Sequence, residues 1–308
     1  MPNHQNILVL GAGELGTQVL TSLARHPQNQ SASISVLLRP SSISSSDPAR
    51  VQKIESFKSL NITPIPGDIV TDTPEKLSEI FTPFDTVVSC TGFIAGKGTQ
   101  LKITRAVLAA GVKRYIPWQF GVDYDVIGRG SGHELFDEQL DVRDLLRRQN
   151  RTKWVIISTG MFTSFVFEPS FGVVDIPSSR VTALGSWENR VTLTTPEDIG
   201  FITAEVVLGC ESVETFADKA IYIGGDTVSY AQLAGLVERA TGREFERRCL
   251  TTEEVKGELV TDPGNALRKY QLVFGMGRGV AWDLGETWNS KRGIRLITTE
   301  EWARKNLV

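Results

Sequence analysis

Three glycines near the start of the chain are spaced to bind the phosphates of a nucleotide. The run Gly11-Ala12-Gly13-Glu14-Leu15-Gly16 directly follows a short apolar segment and precedes an amphipathic one. There the first glycine permits a tight turn, the second lets the backbone approach a pyrophosphate, and the third lets helix and strand pack closely. The N–H groups and the positive dipole at the helix start favour phosphate. We therefore predict that a dinucleotide binds at Gly11, Gly13, Glu14, Leu15 and Gly16.

The residue that follows the second apolar segment distinguishes between the two nicotinamide dinucleotides. An NAD site usually has Asp or Glu there for the ribose 2′-hydroxyl, whereas this chain has Leu38-Arg39-Pro40 followed by serines. A guanidinium accepts no hydrogen bond from a hydroxyl but binds a 2′-phosphate through charge-assisted hydrogen bonds. The sequence therefore predicts NADPH or NADP⁺, with Arg39, Ser41 and Arg50 at the 2′-phosphate.

Two further stretches follow predicted strands, where open α/β sheets bind their ligands. Asp68 follows the third strand, and we predict that its carboxylate contacts the adenine. Thr91 and Gly92 follow the fourth, where small residues let a nucleotide lie against the backbone. Each stretch is also typical of an ordinary turn.

The elements that position these residues alternate along the first half of the chain. Apolar strand candidates lie at 6–10, 33–38, 62–65, 86–90, 114–117 and 154–158, and amphipathic segments at 15–25, 49–60, 74–81, 99–110 and 133–149. Strands that alternate with helices indicate a doubly wound parallel sheet of the α/β class, covered on both faces. We predict a Rossmann-type dinucleotide-binding domain over 1–158.

The regular alternation of strand and helix candidates ends after about residue 160. We predict a smaller α+β substrate-binding region over 159–308. Residues 180–184 and 190–193 read as the strands of a hairpin. Thr195 is a candidate helix cap, with Asp198 placed to reach back to it as in a capping box. A strand near 221–223 is a candidate to return to the main sheet. The serine-rich stretch 41–46 reads as a loop.

Composition excludes several classes of function. The chain has 308 residues and a formal net charge of −3, which argues against a nucleic-acid partner. The cysteines Cys90, Cys210 and Cys249 stand far apart, so neither a disulfide framework nor a zinc site is predicted, and we assign no metal. No apolar run approaches the roughly 18 residues of a membrane helix, and no signal peptide is recognisable. We expect a cytoplasmic protein without a membrane partner.

Several longer motifs resemble one known group of proteins. Beyond the glycine run and Arg39, they are the segments 111–121 (GVKRYIPWQFG), 135–143 (LFDEQLDVR), 194–200 (TTPEDIG) and 298–302 (TTEEW). Together they resemble the isoflavone reductase-like, NmrA-like branch of the atypical short-chain dehydrogenases, over essentially the whole chain. The resemblance is greatest to fungal members linked with aromatic secondary metabolites.

The resemblance implies an activity and a set of binding residues. Members of this family reduce aromatic natural products with NADPH, and Arg39 and Arg50 match the residues that hold its 2′-phosphate. Phe162 matches an aromatic that packs near the nicotinamide, and Phe120 is assigned to the cofactor as well. The implied substrate contacts are Trp118, Gln119, Met161, Phe165, Phe167 and Phe171. Any of these aromatics is also consistent with a plain core position.

The chain departs from the family pattern at its polar positions. The family lysine four residues before an arginine is Gln139 here, before Arg143, and the family's Pro-Ser-Glu-Phe-Gly reads Pro-Trp-Gln-Phe-Gly with Gln119 in place of the acid. An amide donates a hydrogen bond but exchanges no proton near neutral pH. The Tyr-x-x-x-Lys pair of short-chain dehydrogenases is also missing. Gln139, Tyr124 and His133 remain as catalytic candidates, and a structural role is an alternative for the last two.

Two hypotheses of different class follow. The first is an NADPH-dependent reductase of an aromatic or conjugated carbonyl, enone or quinone-like compound, whose delocalised charge lowers the demand for a strong acid. The second is a non-catalytic NADP(H) sensor that regulates partners, which the loss of the family lysine also fits. A redox-neutral isomerase or carrier is a third alternative. Whether the chain is a monomer or a homodimer stays open.

Overall fold

The computed structural model describes residues 4–92, 96–210 and 215–307. The strands are β1 (Gln5–Leu10), β2 (Ala32–Leu38), β3 (Ile62–Pro66), β4 (Thr86–Ser89), β5 (Arg114–Ile116), β6 (Lys153–Ser158), β7 (Met161–Phe162), β8 (Val174–Asp175), β9 (Arg180–Leu184), β10 (Arg190–Thr194), β11 (Lys219–Tyr222), β12 (Asp226–Ser229) and β13 (Glu246–Leu250).

The helices follow the same order along the chain. They are α1 (Glu14–Arg25), α2 (Pro40–Ile43), α3 (Pro48–Ser59), α4 (Pro74–Phe81), α5 (Thr99–Ala110), α6 (Tyr124–Ile127), α7 (Asp137–Arg147), α8 (Thr163–Val166), α9 (Pro196–Leu208), α10 (Tyr230–Thr241), α11 (Thr252–Thr261), α12 (Ala266–Gly275) and α13 (Thr299–Asn306).

The predicted doubly wound sheet is confirmed. Seven strands pair in the order β11-β6-β5-β4-β1-β2-β3, and the pairings from β3 to β6 are all parallel. The first six strands of the chain have the order 3-2-1-4-5-6 of dinucleotide-binding sheets, in which ligands bind where the order reverses beside β1. Residues 7–10 of β1 are fully buried, as expected for a strand covered on both faces.

The described chain is arranged in two compact units that interleave along the sequence. Unit 1 takes Met1–Gln119, Asp141–Ile156 and Ile199–Ala220, and unit 2 takes Phe120–Leu140, Ile157–Asp198 and Ile221–Val308. Each unit therefore draws residues from both sides of residue 158. The strand predicted near 221–223 is β11, at the edge of the seven-stranded sheet. Unit 2 contains two three-stranded sheets, β12-β10-β7 and β13-β9-β8.

The predicted hairpin of 180–184 with 190–193 is wrong. Strand β9 pairs antiparallel with β8 and parallel with β13, whereas β10 pairs with β12 and β7. The connection carries the chain from one sheet to the other: Gly185 has a φ of +77°, and Asn189 Nδ2 donates to the carbonyl oxygens of Leu184 at 3.0 Å and Gly275 at 2.7 Å. Both edges of β9 have partners already, so β10 pairs elsewhere.

The helix predicted over 133–149 begins later, at Asp137. His133 and Glu134 have φ values of +52° and +61°, in the left-handed region that a right-handed helix excludes. The Asp137 carboxylate accepts a hydrogen bond from the backbone N–H of Gly130 at 2.9 Å, which ties the loop to the helix start.

Two other local predictions had different outcomes. The serine-rich stretch predicted as a loop begins with the short helix α2, because Pro40 fits a first helical turn. The cap at Thr195 is confirmed, since its Oγ1 accepts from the backbone N–H of Asp198 at 3.1 Å. The Asp198 carboxylate accepts from the Thr195 hydroxyl at 2.9 Å and from the backbone N–H of Ile297 at 2.8 Å.

Cys90 is buried, Cys249 half-buried and Cys210 exposed, and all three are free thiols. Within the described ranges no group of three or more His, Cys, Asp or Glu side chains is arranged to hold a metal ion. None of the helices described above is long and apolar enough to cross a membrane.

The connection between β9 and β10 generates a stability prediction. Asn189→Ala removes the donor shared by two backbone carbonyls, so we expect the free energy of unfolding to fall by about 1–3 kcal/mol. Urea denaturation followed by circular dichroism measures the change. The control is Asn306→Ala, whose side chain bonds only within the last turn of α13. Equal stability of the two variants would contradict the role of Asn189.

Candidate functional site

The turn between β1 and α1 is too crowded for a side chain at two of its glycines. A Cβ at Gly16 would lie 2.2 Å from the carbonyl oxygen of Gly11, and one at Gly11 would lie 2.9 Å from Thr91 Oγ1. Gly11 also has a φ of +88°, which favours glycine. The third glycine of the motif thus brings α1 against the end of β1.

Gly13, between them, faces open space. A Cβ there would meet no atom within 4 Å, and Gly13 is the N-cap residue of α1 with no side chain to cap the helix. The side chain of Leu15 is buried and that of Glu14 is exposed, so what these residues offer at the turn is backbone N–H groups. Such an uncapped helix start suits an anion.

Lys53 on α3 also reaches this turn, although the sequence analysis did not single it out. Its Nζ donates to the carbonyl oxygen of Ala12, and partial burial lowers the pKa of the ammonium. Lys53 lies one helical turn after Arg50, and residues three apart share a helix face. That spacing is the signal in the sequence that points to it.

The side chains at the end of β2 are free to bind an anion. Arg39 is exposed as the N-cap residue of α2, with Ser41 exposed beside it. Arg50 is exposed on the first turn of α3, where its backbone N–H donates to the Asp47 carboxylate at 3.0 Å. Neither guanidinium forms a hydrogen bond or ion pair with any residue that the structure describes.

The residues predicted after β3 and β4 make local contacts. One carboxylate oxygen of Asp68 accepts from the backbone N–H of Val70 at 2.9 Å, within its own turn. The Thr91 hydroxyl donates to the carbonyl oxygen of Leu10 at 3.1 Å, which joins the ends of β4 and β1. Gln100 Nε2 donates to the carbonyl oxygen of Thr91 at 2.9 Å. Thr91 is thus held at the point where the strand order reverses.

Trp118 lies against Gly92. A Cβ at Gly92 would approach the indole ring to 3.1 Å, so the ring covers the backbone directly after β4. Trp118 itself is half-buried. The structure thereby brings together a residue predicted to contact the cofactor and one predicted to contact the substrate, both in unit 1.

Gln119 is fully buried rather than open to a ligand. Its Oε1 accepts from Arg143 Nε at 2.7 Å, and the Arg143 side chain is fully buried as well. A neutral amide therefore solvates a buried guanidinium. Gln139 precedes Arg143 by one turn of α7, and its side chain is also fully enclosed by protein.

Unit 2 contains a set of touching aromatic rings, Tyr124, Phe136, Tyr270, Phe165 and Phe171, which we call the aromatic cluster. Successive ring centroids lie 4.8, 5.6, 5.9 and 4.4 Å apart. Phe171 is fully buried, whereas Phe165 and Tyr270 are half-buried. Burial raises the pKa of the Tyr270 phenol, so this hydroxyl stays protonated.

The other predicted residues of unit 2 divide by exposure. Phe167 stacks on Trp302 with centroids 4.9 Å apart and is buried, as are Met161 and Phe120. Phe162 is half-buried. Of the phenylalanines predicted to contact the cofactor or the substrate, Phe162 and Phe165 thus keep solvent-exposed surface.

The catalytic candidates Tyr124 and His133 differ in environment. Tyr124 is buried, and a Cβ at Gly121 would lie 2.6 Å from its hydroxyl oxygen, so glycine makes room for this group. His133 is exposed on left-handed backbone.

Comparisons with known proteins agree with this architecture. The profile of the NmrA-like family matches residues 3–291. An NmrA-like family domain-containing oxidoreductase of Gibberella moniliformis is 46% identical over 305 residues, covering 98% of this chain and 99% of the relative. The isoflavone reductase homolog P3 of Arabidopsis thaliana is 28% identical over 83% of this chain and 81% of its own.

Solved structures show the same fold. The binary complex of leucoanthocyanidin reductase with NADPH from Vitis vinifera superposes with a TM-score of 0.77 at 20% identity, covering 97% of this chain and 98% of that one.

The buried amide–guanidinium contact generates a prediction. Gln119→Leu leaves Arg143 Nε without its acceptor, so we expect the free energy of unfolding to fall by about 1.5–3 kcal/mol. Gln119→Glu keeps an acceptor oxygen, and at pH 7 this variant should stay closer to wild type. Chemical denaturation compares both with Gln52→Leu, a substitution of an exposed glutamine. A Gln119→Leu variant as stable as the control would contradict the importance of this contact.

Proposed function

The chain belongs to the NmrA-like family, and we propose that it is an NADPH-dependent reductase of aromatic or conjugated carbonyl, enone or quinone-like compounds. Its family relatives include an oxidoreductase and an isoflavone reductase homolog, which supports a reductase. The observation that carries the choice of cofactor is the presence after β2 of two exposed arginines, Arg39 and Arg50, whose guanidiniums pair with none of the described residues, together with the uncapped start of α1.

The residues present fit NADPH. Gly13 leaves a backbone surface open for a pyrophosphate, and the first turn of α1 supplies N–H donors. Lys53 adds positive charge at the same turn. Arg39, Arg50 and Ser41 would hold the 2′-phosphate through charge-assisted hydrogen bonds. When bound, NADPH supplies the hydride for the reduction.

The aromatic cluster supports the substrate class. Phe165 and Tyr270 expose part of their rings, and flat conjugated molecules pack favourably against such surfaces. The Tyr270 and Tyr124 hydroxyls are neutral hydrogen-bond donors. A carbonyl whose developing charge is delocalised into a ring needs a donor rather than a strong acid, and water then supplies the proton. The chain's lack of a lysine at position 139 is compatible with such substrates.

One observation favours a second function, a non-catalytic NADP(H) sensor. Gln139 stands where the family has its lysine, and its amide is fully enclosed. A protein that only reports the redox state of the cofactor needs no proton donor at this position. Binding would then discriminate between NADPH and NADP⁺, and no acceptor would be reduced.

The 2′-phosphate assignment is tested by charge removal in unit 1. The double variant Arg39→Met, Arg50→Met should weaken NADPH binding by about 10- to 1,000-fold, since it loses one or more charge-assisted hydrogen bonds. NADH carries no 2′-phosphate, so its affinity should hardly change. Calorimetry measures both ligands, with Arg25→Met as a control for the loss of an exposed arginine. An equal loss of affinity for NADPH and for NADH would contradict the assignment of the 2′-phosphate site.

A second test concerns Gln139. We expect Gln139→Met, which keeps the side-chain volume and removes the amide, to lower the rate of NADPH oxidation by about 10- to 100-fold with an aromatic enone or quinone. NADPH affinity should stay within a few-fold of wild type. Steady-state kinetics on several acceptors makes the measurement, and Gln28→Met is the control.

Thermal unfolding of the same variants separates a folding defect from a catalytic one. Unchanged turnover in a folded Gln139→Met variant would remove this residue from the reaction. If wild type itself reduces none of the acceptors while binding NADPH, the reductase proposal fails and the sensor takes its place.

A further inference from the structure

Unit 2 contains a polar cavity of about 300 Å³ between its β13-β9-β8 sheet and the start of α12. Phe171 is the only residue of its lining that the sequence predicted to contact a ligand. The polar side chains of the lining are Arg180, Thr182, Arg248, Asn265, Arg268 and Gln271, with Ser170 at the loop after α8. The lining therefore includes three arginines and, among the described residues, no carboxylate.

The sheet register places two of these arginines on one face. Arg180 and Thr182 are two residues apart on β9, and such residues point to the same side of a strand. Arg248 of β13 is the direct partner of Thr182 in the parallel pairing. Glu246, which pairs with Arg180 in the same register, is exposed and does not line the cavity.

Helix α12 supplies the opposite wall. Asn265 caps this ten-residue helix by accepting from the backbone N–H of Arg268 at 3.1 Å. Gln271 is buried, and its Nε2 donates to the carbonyl oxygen of Phe171 at 2.7 Å. Its Oε1 accepts from the Arg268 guanidinium at 2.6 Å. The guanidinium is therefore held in place by a side chain that is itself fixed.

The three arginines differ in their pairing. Arg180 contacts Asp175 at 3.4 Å and Arg268 contacts Glu258. Arg248 forms no hydrogen bond or ion pair with any residue in the described ranges. Glu254 is near enough for the Arg248 charge to help lower the pKa of that carboxyl, without an ion pair between the two side chains. Arg248 is thus the guanidinium of the three that keeps its donors available among the described residues, and the positive end of the α12 dipole lies at the same cavity. Anions with two or more oxygens match guanidinium geometry best.

We propose that this cavity is a binding site for a small oxyanion of charge −2, a phosphate group or a dicarboxylate, bound by Arg248 with Arg180 and Arg268. The cavity volume is at the lower end of the range for small-molecule sites, so it accommodates the anionic group and little more. The ligand joins strand β13 to α12, the helix that carries Tyr270 of the aromatic cluster. This inference does not depend on NADPH binding.

The test is calorimetric titration of the full chain, without dinucleotide, with inorganic phosphate and separately with malonate, against chloride at equal ionic strength. Wild type should bind at least one of the two oxyanions. Arg248→Met should weaken that binding by at least about tenfold, the effect of one charge-assisted hydrogen bond. Which anion binds more tightly assigns the ligand to the phosphate or the dicarboxylate class.

Two controls make the result specific. Arg247→Met removes the same charge from the neighbouring position of β13, where the side chain contacts Glu238 and lies over the Trp187 ring, so binding should be unchanged. Arg39→Met reports on phosphate bound at the dinucleotide turn, and the component of binding that Arg248→Met weakens should persist in it. Failure of both oxyanions to bind wild type, or binding that Arg39→Met abolishes and Arg248→Met does not, would overturn the proposal.

Discussion

The approach of α1 to β1 is the constraint on which the candidate site depends. A Cβ at Gly16 would come within 2.2 Å of the Gly11 carbonyl, so the helix can begin this close to the strand only without a side chain there. The same approach leaves Gly13 with open space above it and the helix start uncapped. This helix start is already suited to phosphate. Positive charge is added by Lys53 at the turn and by Arg39 and Arg50 after β2.

Two fully buried amides, Gln119 and Gln139, stand where the resemblance in the sequence led us to expect a carboxylate and an ammonium. The two expected charges have opposite signs, so replacing both leaves the net charge unchanged. Arg143 remains fully buried and is solvated by the Gln119 amide at 2.7 Å. A buried guanidinium needs hydrogen-bond acceptors at low dielectric, and the Gln119 amide is one of them.

Local signals in the sequence predicted the main strands and helices of the sheet. Features that depend on contacts between distant residues were not predicted. The glycine spacing, the apolar strands and the Thr195 cap depend on neighbours within a few residues, and the structure has them where the sequence predicts. The hairpin failed because β9 pairs with β13, more than sixty residues further along the chain. The start of α7 was misjudged since the left-handed backbone at His133 and Glu134 has no clear signature in non-glycine residues. The burial of Gln119 likewise depends on tertiary packing, and so does the contact of Lys53 with Ala12, for which the sequence offers only the spacing from Arg50 as a signal.

The central claim is that unit 1 binds NADPH through its 2′-phosphate. Calorimetric titration of the wild-type chain with NADPH, NADP⁺, NADH and NAD⁺ tests it most directly. The account predicts that the two phosphorylated dinucleotides bind at least about tenfold more tightly than their unphosphorylated counterparts, since the arginines after β2 contact only the former. Equal affinity for NADPH and NADH would contradict it.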